Sequence, residues 1–357
     1  MQVRITLRTG VHIHDWSEVK KAYPGLHKML KSRVILPNPA YHEARRAGRR
    51  GYGIPREIHC FAIDRDGDDV LTLPLGILGE IIEATGGKVE IDDRRCQVPA
   101  PPMQSGVVLR DYQTPAVDAL CHSLENTGLG LLEAPPGAGK TEMALEVIAR
   151  LGQRTLWVTH TADLLRQARE RAVSRLGLDP YSIGIIGCGR LEIGDVLTIG
   201  IIPTLRNVAD AYAGEFGCVV LDECHHSPAE TWSKVIGSFA ARYRFGVTGS
   251  LERNDGLEKI THLFFGPTTY TIERSKGAGV LTPQLRVIKT NASPQSWRTF
   301  EELEARYRQV LDAYENGQIR KKPKKPIMPS GQILDELLSD STRNRLIVDA
   351  IARVAPG

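Results

Sequence analysis

A chain of 357 residues, 41% hydrophobic and 25% charged, has the make-up of a soluble globular protein and the length for two domains of normal size. Its 46 Lys and Arg against 42 Asp and Glu leave a net charge of +4, which permits a polyanionic partner without demanding one. Six scattered cysteines with no CxxC pair speak against a zinc ribbon or a disulfide framework, and no apolar leader or stretch near the roughly 18 apolar residues of a membrane span is found, so a reduced cytoplasm is expected.

Residues 1–108 read as a small α+β accessory module. It shows short β-prone runs (VRITLRT, EIHCFAID, DVLTLPL), a helix near GILGEIIEA and turns at Asp66-Gly67 and Gly86-Gly87. Residues 97–106, QVPAPPMQSG, are expected to link it to the next domain. From Leu109 the pattern becomes regular: a helix from Asp111, GLGLLE, a glycine loop, a helix from Lys140, TLWVT, a helix after Asp163, then SIGIIG, DVLTIG, CVVLDE and RFGVTG. Short apolar strands alternating with helices predict an α/β domain over 109–280, its mainly parallel sheet covered on both faces. Within 281–357, TPQLRVIKT is a candidate strand and SWRTFEELEARYRQVLDAYENG a helix. QIRKKPKKPIMPSG is a proline-broken basic linker and SDSTRNRLIVDAIARVA a last helix.

Ala134-Pro-Pro-Gly-Ala-Gly-Lys140-Thr141 stands between an apolar strand and a helix, the setting that a phosphate-binding loop requires. Gly137 and Gly139, with Pro136 and Ala138 in the same loop, let backbone N–H groups turn inward, and the helix N-terminus adds its dipole. Lys140 is placed to reach the β and γ phosphates of ATP or GTP, and the Thr141 hydroxyl to bind Mg²⁺. A plain glycine-rich turn is the weaker reading. The strand CVVL ends in Asp222-Glu223-Cys224-His225, where one carboxylate, Asp222, suits Mg²⁺ and the other, Glu223, suits the attacking water. A zinc site from Cys224, His225 and His226 lacks the usual ligand spacing.

Together, APPGAGKT, DECH and GVTGSLERNDG resemble motifs I, II and III of superfamily II helicases. LRDYQ, VTHTADLLRQ, and IGIIGCGR followed by DVLTIGIIPTL are most similar to the xeroderma-pigmentosum-B-type and phage UvsW-like enzymes of that superfamily. LPNPAYHEARRAGRRGYGIPREI and LTLPLGIL also resemble the leader domain of phage and bacterial members. The resemblance implies a RecA-like P-loop lobe that uses ATP and Mg²⁺ and binds nucleic acid, DNA in preference to RNA. By position, it implies that Arg110 and Gln113 contact the adenine base. It likewise implies that Thr159, His160, Thr161, Gln167 and Thr204 face the nucleic-acid backbone, and that His225 couples the nucleotide site to Thr248-Gly249-Ser250. Read from the residues alone, Gln113 also fits a helix surface, Thr159 and Thr161 fit helix caps, and Arg253 and Asp255 fit a polar turn.

Arg45, Arg46, Arg49 and Arg50 form a basic cluster suited to phosphates, while Arg320, Lys321, Lys322, Lys324 and Lys325 suit a linker between lobes. Enzymes of this superfamily bind ATP between two RecA-like lobes, the second of which carries an arginine finger. A linker and helices over 281–357 leave no room for one, so a second lobe in cis or in trans is expected and turnover by this chain alone is expected to be weak. The expected function is an ATP-dependent DNA helicase or translocase. Two alternatives stand beside it: a nucleotide-gated DNA-binding module without hydrolysis, and the translocating subunit of a restriction enzyme, for which no nuclease motif is seen.

Overall fold

Apolar and polar residues alternate in VRITL, the period of a strand with one buried face, and Val3, Ile5 and Leu7 of β1 (Val3–Leu7) are buried accordingly. The computed structural model describes residues 1–46, 53–64, 67–223, 229–249, 258–273, 293–316, 323, 326, 328 and 330–352. After β1 come β2 (Val11–Ile13), α1 (Trp16–Ala22), α2 (Pro24–Val34), β3 (Ile35–Pro37), α3 (Pro39–Arg46), β4 (Glu57–His59), β5 (Ala62–Asp64) and β6 (Val70–Leu73). A 3-10 turn (Leu75–Ile77), α4 (Leu78–Ala84) and β7 (Val89–Asp93) complete the leader. Its five-stranded sheet has the order β5-β6-β2-β1-β7, antiparallel except for the β1–β7 pair.

Two expectations for this region need correction. Helices α1, α2 and α3 occupy ground that the β-prone reading passed over; prolines 24 and 39 open α2 and α3, where the missing N–H costs nothing. EIHCFAID is two strands, since the chain breaks at Cys60-Phe61: β4 pairs with β3 and β5 with β6. The turn at Gly86-Gly87 is present, with φ of 62° and 75°; Asp66 lies outside the described residues.

The second sheet is built from β8 (Leu129–Glu133), β9 (Thr155–Thr159), β10 (Gly184–Gly187), β11 (Arg190–Leu191), β12 (Leu197–Ile201), β13 (Cys218–Asp222), β14 (Tyr243–Thr248) and β15 (Tyr270–Thr271). Its order is β11-β10-β12-β9-β13-β14-β8-β15, parallel apart from β11. The helices are α5 (Thr114–Thr127), α6 (Lys140–Leu151), α7 (Ala162–Leu176), α8 (Ile202–Val208), α9 (Ala229–Ser238) and α10 (Glu258–Phe265). Successive strand residues point to opposite cores: Trp157, Val220 and Phe245 pack with α5, α6 and α7, while Val158, Val219 and Leu221 pack with α8, α9 and α10.

The leader shares that second core. Its 3-10 turn lies on α10 so closely that a Cβ on Gly76 would sit 2.3 Å from the His262 carbonyl oxygen. Arg244, wholly buried on β14, donates to the carbonyls of Thr9 (3.0 Å) and Phe239. The expected linker is not a free tether at its start, because the Val98 and Ala100 N–H groups donate to Gln153 Oε1 (2.8 Å) and Gly152 O (2.9 Å). Residues 1–280 thus form one compact unit and 281–357 a second, which contains α11 (Gln295–Glu315), α12 (Ser330–Ser339) and α13 (Ser341–Ala352). TPQLRVIKT lies outside the described residues, as do the basic residues 320–322, 324 and 325. No helix among the described residues is long and apolar enough to cross a membrane.

Candidate nucleotide and strand site

Parallel strands end together, so the carboxyl ends of β8, β9, β12, β13 and β14 lie along one edge of the sheet, where open α/β sheets bind ligands. The glycine loop follows β8 and opens α6. Gly137 and Gly139 have φ of 83° and 82°, the region glycine tolerates, and a Cβ on Gly139 would lie 2.3 Å from Gln113 Nε2. Ala134 is fully buried with no positive φ, and its N–H donates to Thr248 O at 2.9 Å, which is why alanine serves here.

Gln113 faces inward, at 3% exposure, and not out from a helix surface. It accepts the Arg110 backbone N–H (2.8 Å) and donates to Ala138 O (2.7 Å), bracing the loop from behind. Tyr112, which the sequence did not single out, joins it: its hydroxyl donates to Ala138 O (3.3 Å) and accepts from Arg110 Nη1 (3.0 Å). Only its place in LRDYQ hinted at this.

Lys140, buried, donates to Ala134 O (3.3 Å) and pairs with Glu223 at 3.2 Å, while Thr141 follows on the first turn of α6. Asp222 ends β13 beneath them, 9% exposed; burial first, then the Glu223 charge, pushes its carboxyl up to about 6 against the opposing pull of Lys140. Glu223 has a φ of 51°, uncommon for a side chain of this size. Its N–H donates to Val247 O (3.0 Å), and its carbonyl oxygen lies 2.8 Å from His160 Nε2, which donates when protonated there.

Thr159 ends β9 and Thr204 lies in the first turn of α8 just after β12, and β9 and β12 pair with Thr159 opposite Ile201. Thr159 is fully buried, His160 and Thr204 are half-buried, and Thr161 and Gln167 are exposed. Thr161 caps α7 by accepting the Leu164 N–H at 3.3 Å, so its cap reading is realised. Thr248 is buried. His225, Ser250, Arg253 and Asp255 lie outside the described residues, as do Cys224, His226, Arg49 and Arg50; Arg45 is exposed on α3.

The residues present fit a magnesium nucleotide. A helix N-terminus, two glycines with left-handed backbone, a buried ammonium, a hydroxyl and a carboxylate whose pKa burial raises to about 6 converge on one edge. Around Gly137 an added Cβ would meet nothing within 4 Å, leaving space over the loop.

Known proteins resemble this chain in sequence and in fold. A family model described as "Type III restriction enzyme, res subunit" matches residues 106–253. The DNA 3'-5' translocase XPB2 of Sulfurisphaera tokodaii is 29% identical over 218 residues, 60% of this chain and 48% of the relative. The DNA 3'-5' helicase XPB of Mycobacterium tuberculosis is 29% identical over 222 residues, 57% of this chain and 39% of the relative. The chain thus spans half or less of the length of these relatives. Among solved structures, the UvsW helicase of bacteriophage T4 shares the fold with a TM-score of 0.54 at 19% identity, over 76% of this chain and 100% of that one. Motifs and sheet order thus agree with the relatives: the chain is similar in sequence to DNA helicases and translocases of the XPB type and in fold to UvsW.

Proposed function

We propose that this chain binds Mg-ATP and DNA as part of an ATP-dependent DNA helicase or translocase. The observation that carries the reading is the ion pair of Lys140 with Glu223 at 3.2 Å, beside Asp222 and under the glycine loop. An arriving triphosphate takes the Lys140 ammonium for its own charge and releases Glu223 to accept a proton from the attacking water. Thr141 and Asp222 would hold Mg²⁺, which would supply charge neutralisation at the phosphates. Arg110 stands beside Gln113 and Tyr112 to meet the base. Residues 159–161 at the end of β9, Gln167 on α7 and Thr204 at the start of α8 would hold the strand backbone, and the names of the XPB relatives favour DNA.

Titration calorimetry tests this. Wild type is expected to bind Mg-ATP, Lys140→Ala to lose most of that affinity, and Asp222→Ala to lose its Mg²⁺ dependence. Glu223→Gln is expected to bind nearly as wild type, since a neutral amide still leaves the loop intact. Unchanged affinity in Lys140→Ala overturns the site, and equal loss in Asp222→Ala and Glu223→Gln overturns the division of roles.

A further inference from the structure

The leader contains a cleft of about 730 Å³ between α1–α2 and the inner face of its sheet, away from the nucleotide loop. Packed interiors leave few voids larger than a water molecule, and this volume falls within the roughly 300–1,000 Å³ of sites that hold small ligands. Leu71 and Leu73 of β6 form an apolar floor. The Trp16 and His27 rings, 6.1 Å apart and tilted by 54°, form one wall, and Phe61 contributes another aromatic face.

The mouth is cationic. Helices α1 and α2 carry Lys20, Lys21, Lys28, Lys31 and Arg33 against one acid, Glu18. Glu18 pairs with Lys21, and Arg33 pairs with Glu80 from α4. Lys20 and Lys31, which line the cleft, have no carboxylate partner among the described residues. Both ammoniums act on His27, whose pKa is lowered by burial first and by Lys20 and Lys31 after it. The acid in the lining, Asp69, is engaged in accepting the Ser17 N–H at 2.7 Å.

A floor of aliphatic carbon, aromatic walls and these two ammoniums at the rim match a flat, apolar body attached to an anion. We infer that this cleft receives one unpaired nucleobase of single-stranded DNA, stacked on Phe61 opposite the Trp16–His27 wall, with the flanking phosphates held by Lys20 and Lys31. The inference rests on the proposed DNA-handling function and adds to it a contact that senses unpaired bases.

The test uses the full chain and two fluorescent probes of equal length, an oligothymidylate and its base-free analogue with the same phosphates, read by anisotropy. Wild type is expected to prefer the oligothymidylate by about tenfold, the size of stacking one base. Phe61→Ala should erase that preference and leave the salt dependence unchanged, whereas Lys20→Glu with Lys31→Glu, both exposed, should weaken both probes and reduce the salt slope. Because Phe61 packs on the leader core, a second measurement uses wild type alone: irradiated 4-thiothymine in the same oligonucleotide should crosslink within residues 16–31 or 61–73. Equal binding of the two probes, an unchanged preference in Phe61→Ala, or crosslinks confined to 159–204 overturns the cleft while leaving DNA binding intact. No binding of either probe overturns the DNA reading together with the cleft.

Discussion

Asp222 sits where its chemistry is needed and its charge is unwelcome. Its carboxyl rises from 3.8 to about 6, chiefly through burial. A folded pKa above the unfolded one means that the stabilising contribution is complete below 3.8 and is lost as pH climbs through about 6. Asp222→Asn should therefore stabilise the metal-free chain by about 1–3 kcal/mol at pH 7.5 and by almost nothing at pH 4, as urea unfolding in chelator will show. Stabilisation of equal size at both pH values would show that the charge is not the cause. The identities of Lys140, Thr141, Asp222 and Glu223 were legible in the sequence because each depends on a local strand-loop-helix or strand-end pattern. The inward turn of Gln113, the part played by Tyr112 and the positive φ of Glu223 were not, since each is decided by a partner far along the chain: Ala138 for the first two, Val247 and His160 for the third.

Among the elements, the 3-10 turn and α10 meet through the smallest side chain available. At Gly76 a Cβ would meet the His262 and Leu263 carbonyl oxygens at 2.3 and 2.6 Å, and backbone cannot swing aside as a flexible side chain does. Gly76→Ala should destabilise the chain by about 1–3 kcal/mol, the usual cost of overpacking, with Mg-ATP affinity nearly unchanged because α10 does not form the nucleotide loop. Wild-type stability in the variant would mean that this contact is looser in solution. Strands of the parallel sheet were readable as continuous apolar runs, whereas α1, α2 and α3 were hidden by their polar, basic composition. The split of EIHCFAID was hidden too: β propensity marks a strand and does not say which sheet it joins, and here Cys60 N–H donates to Val34 O (2.8 Å) between the two.

At the scale of the molecule, the leader and the α8–α10 side of the larger sheet share one hydrophobic core, stitched by Arg244 and the Cys96 backbone. Ligand binding stabilises a cooperative unit by about 2.7 kcal/mol at a hundred times its Kd. Saturation with a non-hydrolysable Mg-ATP analogue should accordingly slow hydrogen exchange at β1 and β7 of the leader as well as at β8 and β13. Slowing confined to β8 and β13 would show two independently unfolding parts. The sequence alone determined the class of the second sheet and pointed to the candidate site, because a glycine loop, paired carboxylates and a doubly covered parallel sheet leave signals a few residues long. Only the tertiary structure decided that the leader is welded to the lobe, that Lys140 rests on Glu223, and that a cationic aromatic cleft lies within residues 16–73. Those features join segments tens to hundreds of residues apart, and local composition and periodicity carry no record of which distant segments come together.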